Sequence, residues 1–316
     1  KNMDNSLKGK ILRFIRGNFF IPDPRRGWNR FAFKKACNLI ETENISHFVT
    51  TSPPHSTQLI GLKLRKKYPG IKWIADLRDP WTDIYYNHLF YPTIIAKAID
   101  RYYESSVLKN ADLITTVGPS IANHFRSKTE EATEKIRVIY NGYDESDFRD
   151  IEMQNPEIFT IAYTGTLSES YPIEGFLRAI GSLQSKGAGI SLKFTGIVSD
   201  SQRDELESAA GSNMIEFIPY SDHRKAIENM ISASLLLLVI AKHPANKSFL
   251  SGKIFEYMAS GRPILCLGPP DGDAAEIIRR YNAGKCFDYS DDKNIEDYIL
   301  SVISHPGPDK RTPPVE

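Results

Sequence analysis

The sequence is short of the features that staple, metallate or anchor a chain. Its three cysteines, Cys37, Cys266 and Cys286, are far apart, odd in number and never paired as C-x-x-C. That pattern excludes a disulfide scaffold and a zinc ribbon, and it fits a reducing compartment. No apolar run approaches the roughly 20 helical residues a bilayer crossing takes. The strongest, Leu235 to Ala241, reads as a buried strand. No signal peptide is visible, so the expected location is the cytoplasm. No recognition helix, RNA-binding signature or concentrated basic–aromatic surface is present, which argues against nucleic acid as a partner. Nor does a strand with a glycine-rich turn open the chain. Residues 7–16 instead mix basic and apolar side chains at roughly helical spacing.

What remains is the composition of an ordinary soluble globular protein, 41% hydrophobic and 25% charged over 316 residues. That length suits two domains of about 150 residues each. The net charge of +1 hides two opposed halves: 24 Lys and Arg against 17 Asp and Glu in residues 1–150, and 16 against 22 in the remainder. A basic half implies an anionic partner, such as a phosphorylated lipid or a membrane surface. Lys8, Lys10, Arg13 and Arg16 flank Ile11, Leu12, Phe14 and Ile15. This is the mix of an interfacial helix on anionic lipid, or of a solvated helix packed on the first domain.

From residue 29 the chain alternates strand and helix. Strands are expected over 45–51, 71–77, 113–117 and 136–140, with helices over 29–43, 56–68, 94–110 and 119–127. Residues 141–156 read as a linker. Strands then recur over 159–164, 192–195, 215–218, 235–240, 264–267 and 285–287, with helices near 173–185, 201–210, 223–232, 252–260, 273–281 and 294–303. Such alternation predicts α/β architecture with parallel sheets covered on both faces, and ligands beyond the carboxyl ends of the strands.

The most informative stretch is Ser251 to Pro263 (SGKIFEYMASGRP). Ser251 is a plausible N-cap, and Gly252 lets a ligand approach the first turn. Free amides and the helix dipole there suit a diphosphate. Glu256 falls one turn further along, on the face of Gly252 and Lys253, where a carboxylate can accept bonds from vicinal ribose hydroxyls. The plainer alternative is an amphipathic helix with Glu256 paired to a lysine. Gly165 and Thr166, after the first strand of the second half, form a turn that cradles phosphate or is merely a β-to-α connection. Pro219 and Tyr220 end a strand ahead of a cap at Ser221 or Asp222 and either present backbone groups to a base or simply precede that cap.

In the first half, Asp76-Leu77-Arg78-Asp79-Pro80-Trp81 follows a strand. Arg78 suits a phosphate, Asp79 a hydroxyl proton, and Trp81 offers a flat face to a sugar ring. Structural pairing of Arg78 with Asp76 or Asp83 is the alternative. His55 also follows a strand, beside Pro53-Pro54, as either a cleft contact or a structural histidine.

Taken in order, Gly165-Thr166-Leu167, Pro219-Tyr220 and Gly252 to Ile264 resemble the C-terminal domain of family 4 glycosyltransferases. The segments Thr51 to Ser56, Trp73 to Asp83 and Val138 to Asp144 are similar to a bacterial branch of that family that builds surface polysaccharides. The resemblance implies a GT-B fold: two Rossmann-like doubly wound parallel-sheet domains, residues 1–152 and 153–305, with an interdomain cleft and a Pro-rich tail over 306–316. It implies an incomplete N-terminal domain, because the expected opening strand and acceptor loop do not precede residue 1. It further implies a nucleotide-sugar donor, a saccharide or lipid-linked acceptor, no obligatory metal or cofactor, and transfer with retention. The location is then the cytoplasm, at the inner face of the plasma membrane. Donor contacts fall on Gly165, Thr166, Pro219, Tyr220, Ser251, Gly252, Lys253 and Glu256. Acceptor contacts fall on His55, Arg78, Asp79 and Trp81, with Asp79, His55 and Glu256 as the catalytic candidates. Glu256 matches the second glutamate of the family's Glu-x7-Glu motif, but the first position holds Ser248. The family's Arg and Lys after the glycine turn are replaced by Thr166 and Tyr171, leaving Lys253, with Lys242 or Lys247, as substitute cations.

Overall fold

The computed structural model describes residues 6–153 and 155–305; the Pro-rich tail lies outside them. The chain forms two compact units, residues 1–140 and 141–316.

The first unit runs α1 (Leu7–Phe19), α2 (Asn29–Thr42), β1 (His47–Ser52), α3 (Gln58–Lys67), β2 (Lys72–Leu77), α4 (Ile94–Asn110), β3 (Leu113–Thr116), α5 (Pro119–Arg126) and β4 (Ile136–Val138). Its four strands pair in parallel in the order β1-β2-β3-β4. Trp73, Leu77, Ile114 and Ile136 on the strands pack with Val107 and Leu108 of α4 and Phe125 of α5. The Trp73 indole is completely buried, and its Nε1 donates to Thr50 Oγ1 at 2.7 Å. A β-carbon on Gly61 of α3 would collide with that indole, so only glycine lets α3 lie this close to the sheet.

The second unit runs β5 (Phe159–Leu167), α6 (Glu174–Ser185), β6 (Ile190–Val198), α7 (Asp200–Ala210), β7 (Ile215–Ile218), α8 (His223–Ile231), β8 (Leu235–Val239), α9 (Lys253–Ser260), β9 (Ile264–Leu267), α10 (Asp273–Arg280), β10 (Gly284–Phe287) and α11 (Asp292–Ser304). Its six parallel strands are ordered β10-β9-β8-β5-β6-β7. Strand order therefore reverses between β5 and β8, the switch point at which doubly wound sheets bind ligands. The fully apolar β8 is buried along its whole length, as a central parallel strand requires.

Two boundaries differ from the sequence expectation. Residues 141–153, read as linker, fold onto the second unit: Tyr143, Phe148, Ile151 and Met153 pack with Ile227, Ile231 and Ala259. Strands β5 and β6 also run three residues past their expected ends, as a paired ribbon from Phe159↔Ile190 to Leu167↔Val198. Gly165 and Gly196 face each other in that ribbon at φ +115° and +123°, and a β-carbon on Gly196 would strike the Gly165 carbonyl. The cysteines are free, although Cys266 and Cys286 are register partners on β9 and β10.

Gly61→Ala is expected to destabilise the protein by about 1–3 kcal/mol, the usual cost of overpacking a filled core. The urea unfolding midpoint measures this; an unchanged midpoint would show that α3 rides free of Trp73.

Candidate functional site

The second unit's site grows from a ladder that stops early. β8 pairs with β5 only at Ile161↔Leu235 and Ala162↔Leu236. Thr164, two residues on, turns its amide and carbonyl toward the same side, where no strand meets them. α9 supplies both partners. The Tyr257 hydroxyl accepts from the Thr164 amide at 3.0 Å, and the Lys253 ammonium donates to the Thr164 carbonyl at 3.0 Å. Lys253 also donates to the Tyr163 hydroxyl at 3.1 Å and lies 4.5 Å from the centre of that ring. Tyr163 in turn donates to the Thr166 carbonyl at 2.6 Å. Burial pushes the Tyr257 phenol up to about 12, so it stays a neutral hydroxyl.

Burial also lowers the Lys253 pKa to about 8, with Glu256 opposing the shift. An ammonium has three protons, and two are used. Gly165 stands beside that ammonium: a β-carbon there would be 3.0 Å from the Lys253 nitrogen. Gly252 precedes the helix with open space where a side chain would be. The cap is Gly252, not the expected Ser251, and the first amides are not free: the Lys253 amide donates to the Ser251 hydroxyl at 3.3 Å, the Ile254 amide to the Ser251 carbonyl at 3.1 Å and the Phe255 amide to the Gly252 carbonyl at 3.2 Å, because the last residues of the loop close onto the first turn.

Glu256 does not pair with a lysine. Its Oε1 meets His223 Nε2 at 3.0 Å, and His223 Nδ1 lies 3.5 Å from Asp147. Sequence reasoning names His223 only with His243, as the histidines the second half offers to the alternative of a sugar-nucleotide epimerase of similar fold, and not as a partner of Glu256. The position of His223 at the first residue of α8, behind the Asp222 cap, was the available signal. Asp222, not Ser221, caps that helix, accepting from the Lys225 amide at 2.9 Å. Ahead of it Tyr220 is 84% exposed. Thr166 is exposed, and Tyr171 packs against the apolar core, so neither replaces a cation. Lys247 forms an exposed ion pair with Asp271. Lys242, with Glu174, His243, Asn246, Asp288 and Tyr289, lines a separate cavity of about 650 Å³.

The first unit contains its own cavity of about 370 Å³, lined by Arg16, Asp23, Arg25, His55, Trp81, Lys97 and Asp100 among others. Arg78 and Asp79 are not among its lining residues. Burial raises the Asp79 carboxyl, while Arg78 holds it back. The open sugar-stacking face expected of Trp81 is not there: the ring is 2% exposed, because His55 stacks on it at 4.9 Å and 11°. Trp81 Nε1 donates to Asp100 at 2.8 Å. Burial lowers His55 to about 4, so its imidazole is neutral, and its Nδ1 is buried without a partner among the described residues. Burial raises Asp100 to about 6, against the Trp81 hydrogen bond. Asp100 was legible in principle, since it follows Ala96 and precedes Glu104 by one turn each on the buried face of α4.

Two parallel sheets with flanking helices are the architecture of GT-B glycosyltransferases. Residues 4–147 match the family Glycosyltransferase Family 4, and residues 96–245 match Family 4 Glycosyltransferase in conflict systems. No curated protein matches the chain. Among solved structures it is similar to sucrose-phosphate synthase from Thermosynechococcus elongatus, with TM-score 0.59 and 14% identity over 90% of this chain and 70% of that one. A glycosyltransferase from Rickettsia africae gives 0.59 and 14% over 96% and 75%. The Anabaena protein HepE, solved in complex with UDP, gives 0.58 and 12% over 85% and 72%. The structural likenesses show the fold; with the two sequence matches they support a family 4 glycosyltransferase.

Neutral His55 and protonated Asp100 have opposite pH consequences. His55 binds fewer protons folded than unfolded between 6.5 and about 4, so its contribution is lost as pH falls through that window. Asp100 binds more protons folded between 3.8 and about 6, so its contribution grows as pH falls. Asp100→Asn is therefore expected to steepen the loss of stability on acidification relative to the wild type, and His55→Gln to flatten it. Urea midpoints across that range measure both; parallel curves for all three proteins would contradict the assignment.

Proposed function

We propose that the chain transfers a sugar from a nucleotide-diphosphate donor to a saccharide acceptor, lipid-linked, with retention of anomeric configuration and no obligatory metal. The setting proposed is bacterial polysaccharide assembly, in the cytoplasm at the inner face of the plasma membrane. The observation that carries the donor side is the half-buried Lys253 ammonium, fixed at the β5–β8 switch point by the Tyr163 hydroxyl and the Thr164 carbonyl. A diphosphate oxygen accepting a hydrogen bond from that ammonium would favour the charged form that burial disfavours. The dipole of α9 adds to the Lys253 charge. As the glycosidic bond to phosphate breaks, negative charge develops on the leaving diphosphate, and a cation and a helix start beside it would stabilise that charge. Glu256 keeps its second carboxylate oxygen for the ribose diol while His223 orients the first. Uridine is the first base to try, because HepE is solved with UDP and with UDP-glucose.

On the acceptor side the supporting feature is the first unit's cavity, with Arg16, Arg25 and Lys97 at its wall and neutral His55 within. Those cations suit a phosphorylated acceptor. His55 and Asp79 remain the candidates for handling the hydroxyl proton. A second reading, a sugar-nucleotide-binding module without catalysis, is favoured by Ser248, Thr166 and Tyr171, which stand where the family has a glutamate and two cations. Release of free sugar from a nucleotide-sugar donor separates the two.

Glu256→Ala is expected to weaken UDP binding by about 1–3 kcal/mol, the worth of a charged hydrogen bond. Wild-type affinity should fall as pH rises through about 8, where free Lys253 gives up its proton. Isothermal titration reads both. An affinity unchanged by the substitution would remove Glu256 from the donor site.

A further inference from the structure

Most large apolar side chains exposed among the described residues fall in two stretches of the first unit, residues 7–31 and 85–102. Leu7, Phe19, Phe31, Ile94, Ile95 and Tyr102 range from 63% (Phe31) to 87% (Ile94) exposed, and Trp28 is 57% exposed. The two stretches are joined into one surface. The Asn18 side chain donates to the Tyr91 carbonyl at 3.1 Å and accepts from the Thr93 amide at 2.7 Å. The Arg16 guanidinium lies 4.4 Å from the centre of the Phe90 ring, and Gly17 leaves space for the Phe90 backbone.

The charge on this surface has one sign. The two stretches carry nine cations, Lys8, Lys10 and Arg13 among them, and two acids, Asp23 and Asp100. Both acids turn inward: Asp23 accepts from the Ser56 amide at 2.7 Å and hydroxyl at 2.9 Å, and Asp100 accepts from Trp81. The outer face is therefore apolar and cationic together. Exposed apolar surface on this scale marks an interaction site. A second copy of the chain is a poor occupant, since an isologous contact would set cations against cations. An anionic bilayer accommodates both features. Aromatic and aliphatic side chains enter the headgroup–acyl boundary, and lysine and arginine extend to the lipid phosphates.

We propose that this face docks onto an anionic lipid bilayer, with Trp28, Phe31, Ile94 and Ile95 as the inserting side chains. The proposal deepens the membrane part of the reading above and uses nothing of the donor site. Of the three tryptophans, Trp73 and Trp81 are buried, so Trp28 reports on insertion.

The test is co-sedimentation of the full chain with mixed phosphatidylglycerol–phosphatidylcholine vesicles, with pure phosphatidylcholine for comparison. Binding is expected to the mixed vesicles only, to weaken with salt, and to be accompanied by a blue shift of Trp28 emission. Ile94→Gln with Ile95→Gln, and separately Lys8→Glu with Lys10→Glu, should each lower partitioning about tenfold or more. Trp28→Phe should bind almost as well but lose the blue shift, which separates insertion from misfolding. The proposal is overturned by equal binding to both vesicles, by no binding, or by partitioning indifferent to these substitutions. It is equally overturned by a wild-type dimer that Ile94→Gln with Ile95→Gln dissociates. UDP titration of the same preparation is read independently, so vesicle binding without UDP binding would sink the transferase reading and leave this one standing.

Discussion

The unfinished β5–β8 ladder governs the second unit's site. A parallel strand buried in a central sheet must satisfy its backbone on both sides, because an unpaired buried amide or carbonyl costs about as much as a lost hydrogen bond. Beyond Ala162 strand β8 no longer does so for β5, and Tyr257 and Lys253 of α9 take over at Thr164. This fixes where α9 begins and which side chain stands beside Gly165. It also leaves Lys253 half-buried, where desolvation lowers its pKa to about 8. The glycine pair Gly165–Gly196 lets the ribbon of β5 and β6 continue past this point. A ligand that brings negative charge completes an arrangement the protein leaves electrostatically incomplete.

The first unit handles its charges the other way. Three of its acids are drawn inward: Asp23 to Ser56, Asp100 to Trp81, Glu104 to Lys128. Asp23 and Asp100 are the acids of the two exposed apolar stretches, so turning them inward leaves the outer face there cationic. Within the cavity, a neutral imidazole on an indole and a carboxyl that holds its proton to about pH 6 make a site less charged than its composition implies.

The fold was largely legible because strand and helix alternate with clear apolar runs. β8 needed nothing beyond Leu235 to Val239, and α9 was framed by Gly252 and Gly261. The helix that carries Lys253 and Glu256 was legible because its motif is local. The chemistry was not legible where partners come from distant segments. Nothing near Glu256 names His223, and nothing near Trp81 says that His55 will cover its face. Residues 141–153 looked like a linker because they are charged, while Phe148 within them became a core residue. α1 was ambiguous because its apolar side chains find no core, which is itself the information.

The account's central claim is that an anionic nucleotide completes the gap between β5 and the start of α9. Hydrogen–deuterium exchange of the full chain with and without UDP tests it most directly. Slowed exchange confined to peptides spanning residues 164–168 and 251–256 is the predicted result. Unchanged exchange in both, with protection elsewhere or nowhere, would contradict it.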